Sequence, residues 1–552
     1  MTMFKKTDPN PQLDIFTAPS MQLGSRASKK YSDPNAWHNQ FYSLVTTKIN
    51  EEIFKPLFPE GKKCGRPNAS IRILVAMSAL KEGFGCSDED LFEKCEFDLL
   101  TRKALGMELL TDVTPSIDTY YLFRRRICEY QERTGIDLMQ LCFEQLAGNQ
   151  VRLLKISGKC VRMDSKLIGS NIARQSRYEL IHTTLVKFLK TCTLSDLSPE
   201  QEERAKEYLK EDSSKTVYRS DSDTLQSNLA RIGNFIMEML ATFPATSPAH
   251  DLLQRLFDEQ YAVKDGKAVL RDKKEVKADS LQNPNDPDAT YRAKNDQKVQ
   301  GYVTNITETV EEGKPNIITS VQVETAVFAD CHFLQEAVEN SERVTDSTIE
   351  DLYADGAYQS PDNREFAKNH NAMQLKTGKM QGGCRWELIP HDEDGLTVRE
   401  IATGNTYEAV KAVTKQGSRK RWRIPWNNKT GWRYFEDKDI KAYQLRKQIE
   451  SLPLEEQHKR NNVEAAMFQY SFHTRKGKTR YRGLLKHRMH AYSRCMWMNL
   501  RRMVIFQIST FQRSIFALFG PIREAFGSFK AISRKIFTSG ADCYVSLRMT
   551  TL

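Results

Sequence analysis

A chain of 552 residues, 39% of them hydrophobic and 28% charged, is too long for one hydrophobic core, so we expect roughly two to four domains of an ordinary globular protein. Its eleven cysteines include no CxxC pair, which argues against a disulfide framework or a zinc ribbon and favours reduced thiols in a cytoplasmic setting. No secretion signal is expected, and arginines break the most apolar stretch, 495–520, which predicts an amphipathic or buried helix rather than a membrane span.

The positive charge is concentrated at the C-terminal end of the chain. The formal net charge is +11, yet residues 471–552 carry 11 arginines and 5 lysines against only Glu524 and Asp542. The preceding part of the chain is therefore slightly acidic. A cationic segment of this kind suits a polyanion such as nucleic acid, whereas the alternative is a solvated basic face or tail.

The N-terminal quarter of the chain has a helical pattern after a polar lead-in. Residues 1–35 are rich in Pro, Ser and Lys, which predicts a mobile arm or a loosely docked lead-in. Over 36–150 the pattern is helical, and Ser87 is expected to cap one of the helices. A later helix, opened by Ser116, is predicted to show Arg124, Arg125 and Arg126 on its outer face. Such a helix can dock on DNA, and a helical bundle with a solvated arginine face is the alternative.

Short strand-like segments occur in the middle of the chain. An alternating pattern predicts a strand that leads to Asp164, and 172–285 then returns to helical patterns that we interpret as an insertion and a connector. Residues 301–327 predict an antiparallel hairpin, followed by a helix for which Asp330 is the expected N-cap. A further short strand ends at Asp355.

Residues 378–436 differ in character from their neighbours. Strand-like segments separated by Gly-containing turns predict a small β-rich insertion. Cations and tryptophans alternate in its last part, and DNA contacts are expected at Arg421, Trp422 and Arg423. The rings would stack on bases or sugars while the guanidinium groups neutralise phosphates. The alternative is that the tryptophans form the core of the insertion.

Three acidic residues, Asp164, Asp355 and Glu464, form the predicted site. Two of them end strands and the third lies on a predicted helix, so neighbouring strand ends and a facing helix could gather three carboxylates around a pair of divalent cations. Such a pair stabilises the attacking and leaving oxygens of a displacement at phosphorus. Taken singly, each acid has an ordinary interpretation as a turn former or a surface helix residue.

The order of the predicted elements indicates an α/β fold with a ribonuclease-H-like core, a mixed sheet flanked by helices. The helical N-terminal domain, the helical insertion and the β-rich insertion are additions to that core. The predicted segments are a mobile arm at 1–35, a helical DNA-binding domain at 36–150, core segments at 151–171, 286–377 and 437–510, a helical insertion with its connector at 172–285, a β-rich insertion at 378–436, and a basic tail at 511–552.

Several motifs resemble those of a known family. They include VRMDSKLIGSNIAR around Asp164, DLYADGAY around Asp355, RNNVEAAMFQY around Glu464, and the helical segment RPNASIRILVAMSALKEG. Over roughly residues 36–510 the chain resembles the DDE transposases of bacterial insertion sequences, in the large group named after insertion sequence four and most closely its eleven-eighty-two subgroup.

The resemblance implies a transposase that binds the ends of its insertion sequence and catalyses metal-dependent DNA cleavage and strand transfer. Asp164, Asp355 and Glu464 are then the catalytic residues and the ligands of two Mg²⁺ or Mn²⁺ ions. The implied partners are double-stranded DNA, at the terminal repeats and at the target, and a second copy of the chain in a synaptic homodimer. No membrane partner is expected, and the expected location is the cytoplasm, at the nucleoid.

The segment around Glu464 departs from the family pattern of Tyr, Arg, Glu and Lys. Arg460 and Glu464 match that pattern, whereas Gln457 and Ser471 replace the tyrosine and the lysine. Arg460 is expected to clamp the scissile phosphate. The missing cation is expected from His473, Arg475 or Lys476. Two alternatives stay open: a DNA-binding protein on a catalytically decayed transposase scaffold, and a metal-dependent endonuclease without strand transfer.

Overall fold

The computed structural model describes most of the chain. The described residues are 4–7, 17–58, 67–245, 247–294, 297–377, 384–391, 395–412, 420–426, 431–451, 453, 456, 459 and 463–525. For Trp426 and 511–525 only the backbone is described. Arg460, Gln457 and most of the predicted basic tail lie outside these residues.

Helices build the N-terminal part of the described chain. They are α1 (Pro19–Gln22), α2 (Ser25–Tyr31), α3 (Trp37–Leu44), α4 (Ile71–Phe84), α5 (Asp88–Phe97), α6 (Leu99–Leu105), α7 (Ile117–Thr134) and α8 (Leu138–Leu154), with three-ten turns at Thr46–Lys48 and Glu51–Leu57. Ser87 caps α5 as predicted, in a reciprocal capping box with Asp90. Within the first 35 residues the structure describes α1 and α2, and the Thr7 hydroxyl donates to Glu51 at 2.6 Å.

β1 (Cys160–Gly169) leads into a helical insertion with a core of its own. The insertion contains α9 (Arg177–Leu189), a three-ten turn at Leu194–Asp196, α10 (Pro199–Lys210), α11 (Ser213–Arg219), α12 (Ser222–Thr242), α13 (Pro248–Gln260) and the hairpin strands β2 (Tyr261–Lys264) and β3 (Lys267–Leu270). Ile181, Phe235 and Leu253 are among its fully buried side chains. Because α9, α12 and α13 share this core, the insertion is a compact unit.

A six-stranded mixed sheet forms the centre of the fold. Besides β1 it contains β4 (Thr290–Lys294), β5 (Gln297–Thr309), β6 (Ile318–Thr325), β7 (Asp351–Ala354) and β8 (Gln374–Thr377), and it is accompanied by three-ten turns at Asp330–Phe333 and Gly356–Tyr358 and by the helices α14 (Leu334–Thr345) and α15 (Pro361–Asn369). The order is β4–β5–β1–β7–β8, and β6 also pairs with β5. β1 is antiparallel to β5 and parallel to β7, and the predicted hairpin is the antiparallel pair β5–β6.

The two faces of this sheet pack against different helices. Val161 and Met163 of β1 point to one face and join the core that contains α14. Residues two apart on a strand share a face, so Asp164, Lys166 and Ile168 point to the opposite face. Ile168 belongs to the large core that contains the N-terminal helices.

A second, five-stranded antiparallel sheet lies between β8 and the last helices. Its strands are β9 (Trp386–His391), β10 (Gly395–Glu400), β11 (Thr406–Ala412), β12 (Arg421–Trp426) and β13 (Gly431–Glu436), in the order β13–β12–β11–β10–β9, and α16 (Asp437–Glu450) follows. One face packs against α16 through Leu388, Val398 and Ile424. This sheet lies within residues 378–436, for which the sequence predicts a β-rich insertion.

Two further helices complete the described chain, α17 (Val463–Ser471) and α18 (Leu484–Ala525). α18 packs closely on α4, because a Cβ at Gly83 would lie 2.3 Å from the indole of Trp497. Of the helices in the described part of the chain, none combines the length and the apolar character needed to span a membrane.

A buried polar cluster ties α4 to the segment around α18. Glu82 lies 2.7 Å from His490 Nδ1 and accepts a short hydrogen bond from the Tyr481 hydroxyl. Burial by itself raises the pKa of Glu82, but the charge and the hydrogen bond of His490, with Lys81 and Tyr481, bring that pKa down to about 2. The cluster therefore stabilises the charged form of a buried carboxylate between the N-terminal and C-terminal parts of the chain.

Candidate active site

Two of the three predicted acids converge at the middle of the central sheet. β1 and β7 are parallel, with Arg162 opposite Tyr353, and continuing this register brings Asp164 of β1 opposite Asp355, the residue that follows β7. Each carboxylate is fixed by a backbone amide: Asp164 accepts from Ser165 N at 2.8 Å and Asp355 from Gly356 N at 2.7 Å. The side chains are only partly exposed to solvent.

The surroundings of Asp164 are unusual for a carboxylate. The pKa of Asp164 is raised to about 6, chiefly by burial, and the charges of Asp355 and Asp330 add to the rise. The Ser165 amide and the Lys294 ammonium act in the opposite direction. Burial and the two neighbouring carboxylates therefore both disfavour the charged form of Asp164.

A buried ion cluster borders the acidic pair. Asp330 is 4% exposed and lies 3.0 Å from Arg292 and 3.4 Å from Lys294, both on β4. The prediction that Asp330 is a helix N-cap is wrong, because it is the first residue of a three-ten turn whose N-cap is Ala329. Its carboxylate serves ion pairs instead, and no sequence pattern indicated that β4 would bring these cations to it.

A chain of buried hydrogen bonds lies behind the site. The Tyr358 hydroxyl donates to Asn305 Oδ1 at 2.7 Å, Asn305 Nδ2 donates to Gln322 Oε1 at 2.8 Å, and Gln322 Nε2 donates to Glu336 Oε2 at 3.0 Å. Tyr358 is fully buried, and burial, with Asp164 and Asp330, raises its pKa well above the ordinary value. These contacts hold the turn that follows Asp355 against β5, and no local sequence pattern indicates them.

The third predicted acid is not gathered with the other two. Glu464 is exposed on the first turn of α17. α17 packs on the face of the sheet that carries Asp164, since the Tyr470 hydroxyl lies 3.1 Å from Thr304 Oγ1. Within the described residues, however, no group of three Asp, Glu, His or Cys side chains is close enough to hold one metal ion. The metal-ligand role of Glu464 stays a prediction.

A lysine outside the predicted site, Lys166, lies on the same face as Asp164. Lys166 Nζ donates to Ser471 Oγ at 2.8 Å, and that hydroxyl donates in turn to Met467 O at 3.0 Å. Burial lowers the pKa of Lys166, and the charge of Asp164 acts in the opposite direction. The period of two along β1 would have identified Lys166, because it follows Asp164 by two residues.

The three cations expected beyond Glu464 have different surroundings. His473 Nε2 donates to Gly83 O at 3.0 Å, and burial, with the charge of Arg494, lowers its pKa to about 4. This shift favours the neutral ring at neutral pH, and the DNA contact of His473 stays a prediction. Arg475 and Lys476 are exposed on a tight turn beside the end of β1, where Lys476 has a φ of 52°. Their DNA contacts stay predictions.

The arginines of α7 do not share one outer face. The Arg124 guanidinium stacks over the rings of Tyr120 and Tyr481 at 5.4 and 5.2 Å, so it packs between α7 and the chain before α18. Arg126 is half-buried. Arg125 is exposed and lies 3.5 Å from Glu129. The prediction of a common outer face is wrong for Arg124, while DNA binding by the group stays a prediction.

The β-rich insertion separates its tryptophans between two faces. Trp422 is 4% exposed and belongs to the core beneath α16, so its predicted contact with DNA is wrong. On the opposite face the Arg421 guanidinium stacks over Tyr434 at 4.0 Å and Arg423 over Trp432 at 4.3 Å. Trp432 is 49% exposed. This face therefore presents two guanidinium groups, each stacked on an aromatic ring.

Comparison with known proteins gives one match. Residues 30–126 match the family model described as Transposase domain (DUF772). The matched region runs from α2 through α7, so it covers only a minor part of the chain and does not include the acidic pair. No curated protein and no solved structure matches the chain. The match supports a transposase family for this protein.

Proposed function

We propose that the protein is a transposase that binds the ends of its insertion sequence and catalyses metal-dependent cleavage and strand transfer of DNA. A transposase domain implies a DNA-processing enzyme in general. The observation that carries the finer proposal is the convergence of Asp164, on β1, and Asp355, which directly follows the adjacent parallel strand β7, with the pKa of Asp164 raised to about 6.

The proposal includes a ribonuclease-H-like core. Its support is the strand order: three consecutive antiparallel strands, β6, β5 and β1, followed by β7 and β8, which run parallel to β1. Helices of the two large cores cover the opposite faces of this sheet. Such a sheet brings the middle of β1 next to the end of β7, as a two-carboxylate site requires.

The donor set at this point fits a hard divalent cation. Asp164 and Asp355 offer carboxylate oxygens, which Mg²⁺ and Mn²⁺ prefer, and a cation between them relieves the repulsion that contributes to the raised pKa of Asp164. Bound as a pair, such ions stabilise charge on the attacking and leaving oxygens at phosphorus. Glu464 is proposed as the third ligand, and its support is its place on the first turn of α17, which packs on the Asp164 face.

The remaining residues position DNA in this proposal. Arg475 and Lys476, at the end of β1, and Arg421 and Arg423, on the open face of the β-rich insertion, would contact backbone phosphates. A water activated at the acidic pair would cut the element end and free a 3′-OH. The same site would then direct that 3′-OH at target DNA without a covalent enzyme intermediate. A homodimer in the cytoplasm would hold the two ends together.

A nicking assay tests this proposal. Supercoiled plasmid that carries the gene with its natural flanks is incubated with purified protein and Mn²⁺. We expect the wild type to nick the plasmid and Asp355→Asn to lose detectable nicking while it still binds the same DNA. Asp362→Asn, an exposed acid on the first turn of α15, is the matched control and keeps the wild-type rate. Equal nicking by Asp355→Asn and the wild type would refute the site.

One observation favours a second function. Glu464 is exposed and is not grouped with the other acids in the described residues. A three-carboxylate site would require α17 to move toward the acidic pair, whereas a DNA-binding protein on a decayed transposase scaffold would not. That function predicts DNA binding with no nicking in either Mn²⁺ or Mg²⁺. A metal-dependent endonuclease predicts nicking in the same assay but no joined products.

A further inference from the structure

Lys166 lies beside the acidic pair on the same surface of the sheet. It follows Asp164 by two residues on β1, so the two side chains point to one face and are separated by about 7 Å of strand. Across the sheet Lys166 is opposite Thr304, whose hydroxyl lies 3.1 Å from that of Tyr470 on α17. The Lys166 ammonium therefore lies between the strand that carries Asp164 and the helix that begins with Val463.

The partners of this ammonium are unusual for a half-buried lysine. Nζ donates to the neutral hydroxyl of Ser471 at 2.8 Å. Within the part of the chain that the structure describes, it forms no ion pair with a carboxylate within 4.0 Å, although the charge of Asp164 acts on it from a greater distance. Lys376, which is similarly buried, contacts Asp351 at 2.9 Å and Glu456 at 3.0 Å. Among the described residues, Lys166 thus has a directed hydrogen bond and only the charge of Asp164, which forms no direct ion pair with it, to balance its own. Buried charged groups are normally neutralised by a directly contacting partner.

We propose that Lys166 is a phosphate-binding residue of the site that contains Asp164 and Asp355. An ammonium has three N–H donors, and the Ser471 hydroxyl accepts one of them, so two stay available for the non-bridging oxygens of a phosphodiester. Ser471 holds the ammonium in place and, being neutral, leaves its charge for the substrate. The inference rests on the proposed function, because it names a contact with the phosphate that the acidic pair would cleave.

The plasmid nicking assay with Mn²⁺ also tests this residue. We expect Lys166→Met to lower the nicking rate at saturating protein by about a hundredfold or more, as loss of one positioned donor to a charged transition state does. Lys166→Arg keeps a cation and recovers part of the rate. The matched control is Lys314→Met, since Lys314 is also partly buried and donates to a neutral oxygen, Leu154 O at 2.8 Å. The control should cut at the wild-type rate.

A binding measurement separates phosphate contact from a structural role. The affinity for a short DNA duplex that spans one flank is measured against salt concentration. Lys166→Met should reduce the slope of log K against log[salt] by about 1, and Ser471→Ala, which keeps the charge, should leave the slope unchanged. Urea unfolding of each variant tests whether a rate loss comes from misfolding.

The outcomes distinguish the two proposals. If the wild type nicks DNA and Lys166→Met nicks it at the same rate with an unchanged salt slope, the role of Lys166 is overturned while the proposed function stands. A slow Lys166→Met variant that is also partly unfolded and keeps the wild-type salt slope overturns it as well, because the residue would then be structural. A wild type that does not nick DNA removes the proposed function and this inference together.

Discussion

The buried ion triad around Glu308 gives the sharpest prediction of stability. Glu308 is fully buried on β5, and its two oxygens contact Arg162 at 2.5 Å and Arg502 at 2.6 Å. Glu308→Gln keeps the size of the side chain but leaves two guanidinium groups in the interior without a counter-charge. Breaking such a buried pair costs about 3–5 kcal/mol, so we expect the free energy of unfolding to fall by that amount.

The assay is urea unfolding followed by far-ultraviolet circular dichroism, with an exposed ion pair as control. Glu350 and Lys159 are 2.7 Å apart, and both side chains are more than half exposed, so Glu350→Gln should cost less than about 1 kcal/mol. Arg502→Met in the Glu308→Gln background removes one unpaired charge and should recover part of the loss. If Glu308→Gln were as stable as the Glu350→Gln control, the reasoning would be refuted. That result would mean that the loss of the Glu308 charge leaves no costly unpaired guanidinium group in the interior.

Three further predictions concern pH, the core of the β-rich insertion and DNA. The pKa of Glu82 in the folded protein is lowered to about 2 from an ordinary value of 4.5, so its contribution to stability is present above pH 4.5 and is lost as the pH falls toward 2. In urea titrations, the difference in unfolding free energy between wild type and Glu82→Gln should therefore shrink from pH 4.5 to pH 2. A constant difference would contradict this. Trp422→Ala should lower stability by about 3–5 kcal/mol, while Trp432→Ala, at an exposed ring, should cost about 1 kcal/mol or less; equal losses in thermal unfolding would show that the two faces are wrongly assigned. Arg421→Ala and Arg423→Ala should each reduce the salt slope of duplex binding by about 1, and unchanged slopes would remove this face from the DNA interface.

The strands that carry the acidic pair could be predicted because their signals are local. Asp164 and Asp355 each follow a short apolar run, and such runs are typical of buried strands. Whether the two residues lie close together depends on the order of the strands in the sheet. The succession of predicted strands and helices along the sequence indicates such an order. Glu464 shows the limit: its helix could be predicted, but the distance of that helix from the sheet depends on packing that no short pattern records.

Side-chain direction was the main source of error. Trp422 and Arg423 are adjacent on β12, so their side chains point to opposite faces of the sheet. The sequence pattern alone does not tell which of these faces lies beneath α16. Arg124 and His473 carry no local sign of burial, because their partners come from distant parts of the chain: Tyr481 stacks on Arg124, and Gly83 accepts from His473. Charged and polar residues in a basic segment were therefore assigned to the surface too readily.

The position of Lys166 beside Asp164 could have been predicted from the alternation of side chains along a strand. It shares the face of Asp164 by strand geometry alone. What the sequence does not contain is its partner, since Ser471 is more than 300 residues away and reaches Lys166 only because α17 packs on the central sheet. A lysine next to an acidic site can be predicted from the strand pattern, but its hydrogen bond to Ser471 can be seen only in the folded chain.

The central claim is that the acidic pair cuts DNA and joins it. The most direct measurement incubates purified protein and Mn²⁺ with a plasmid that carries the gene with its natural flanks and with a second plasmid as target, and then sequences every new junction. The account predicts junctions that join the same two flanking positions to the target with the wild type, and none with Asp164→Asn or Asp355→Asn. Junctions that persist in both variants, or a wild type that binds the flanks and never cuts them, would contradict it.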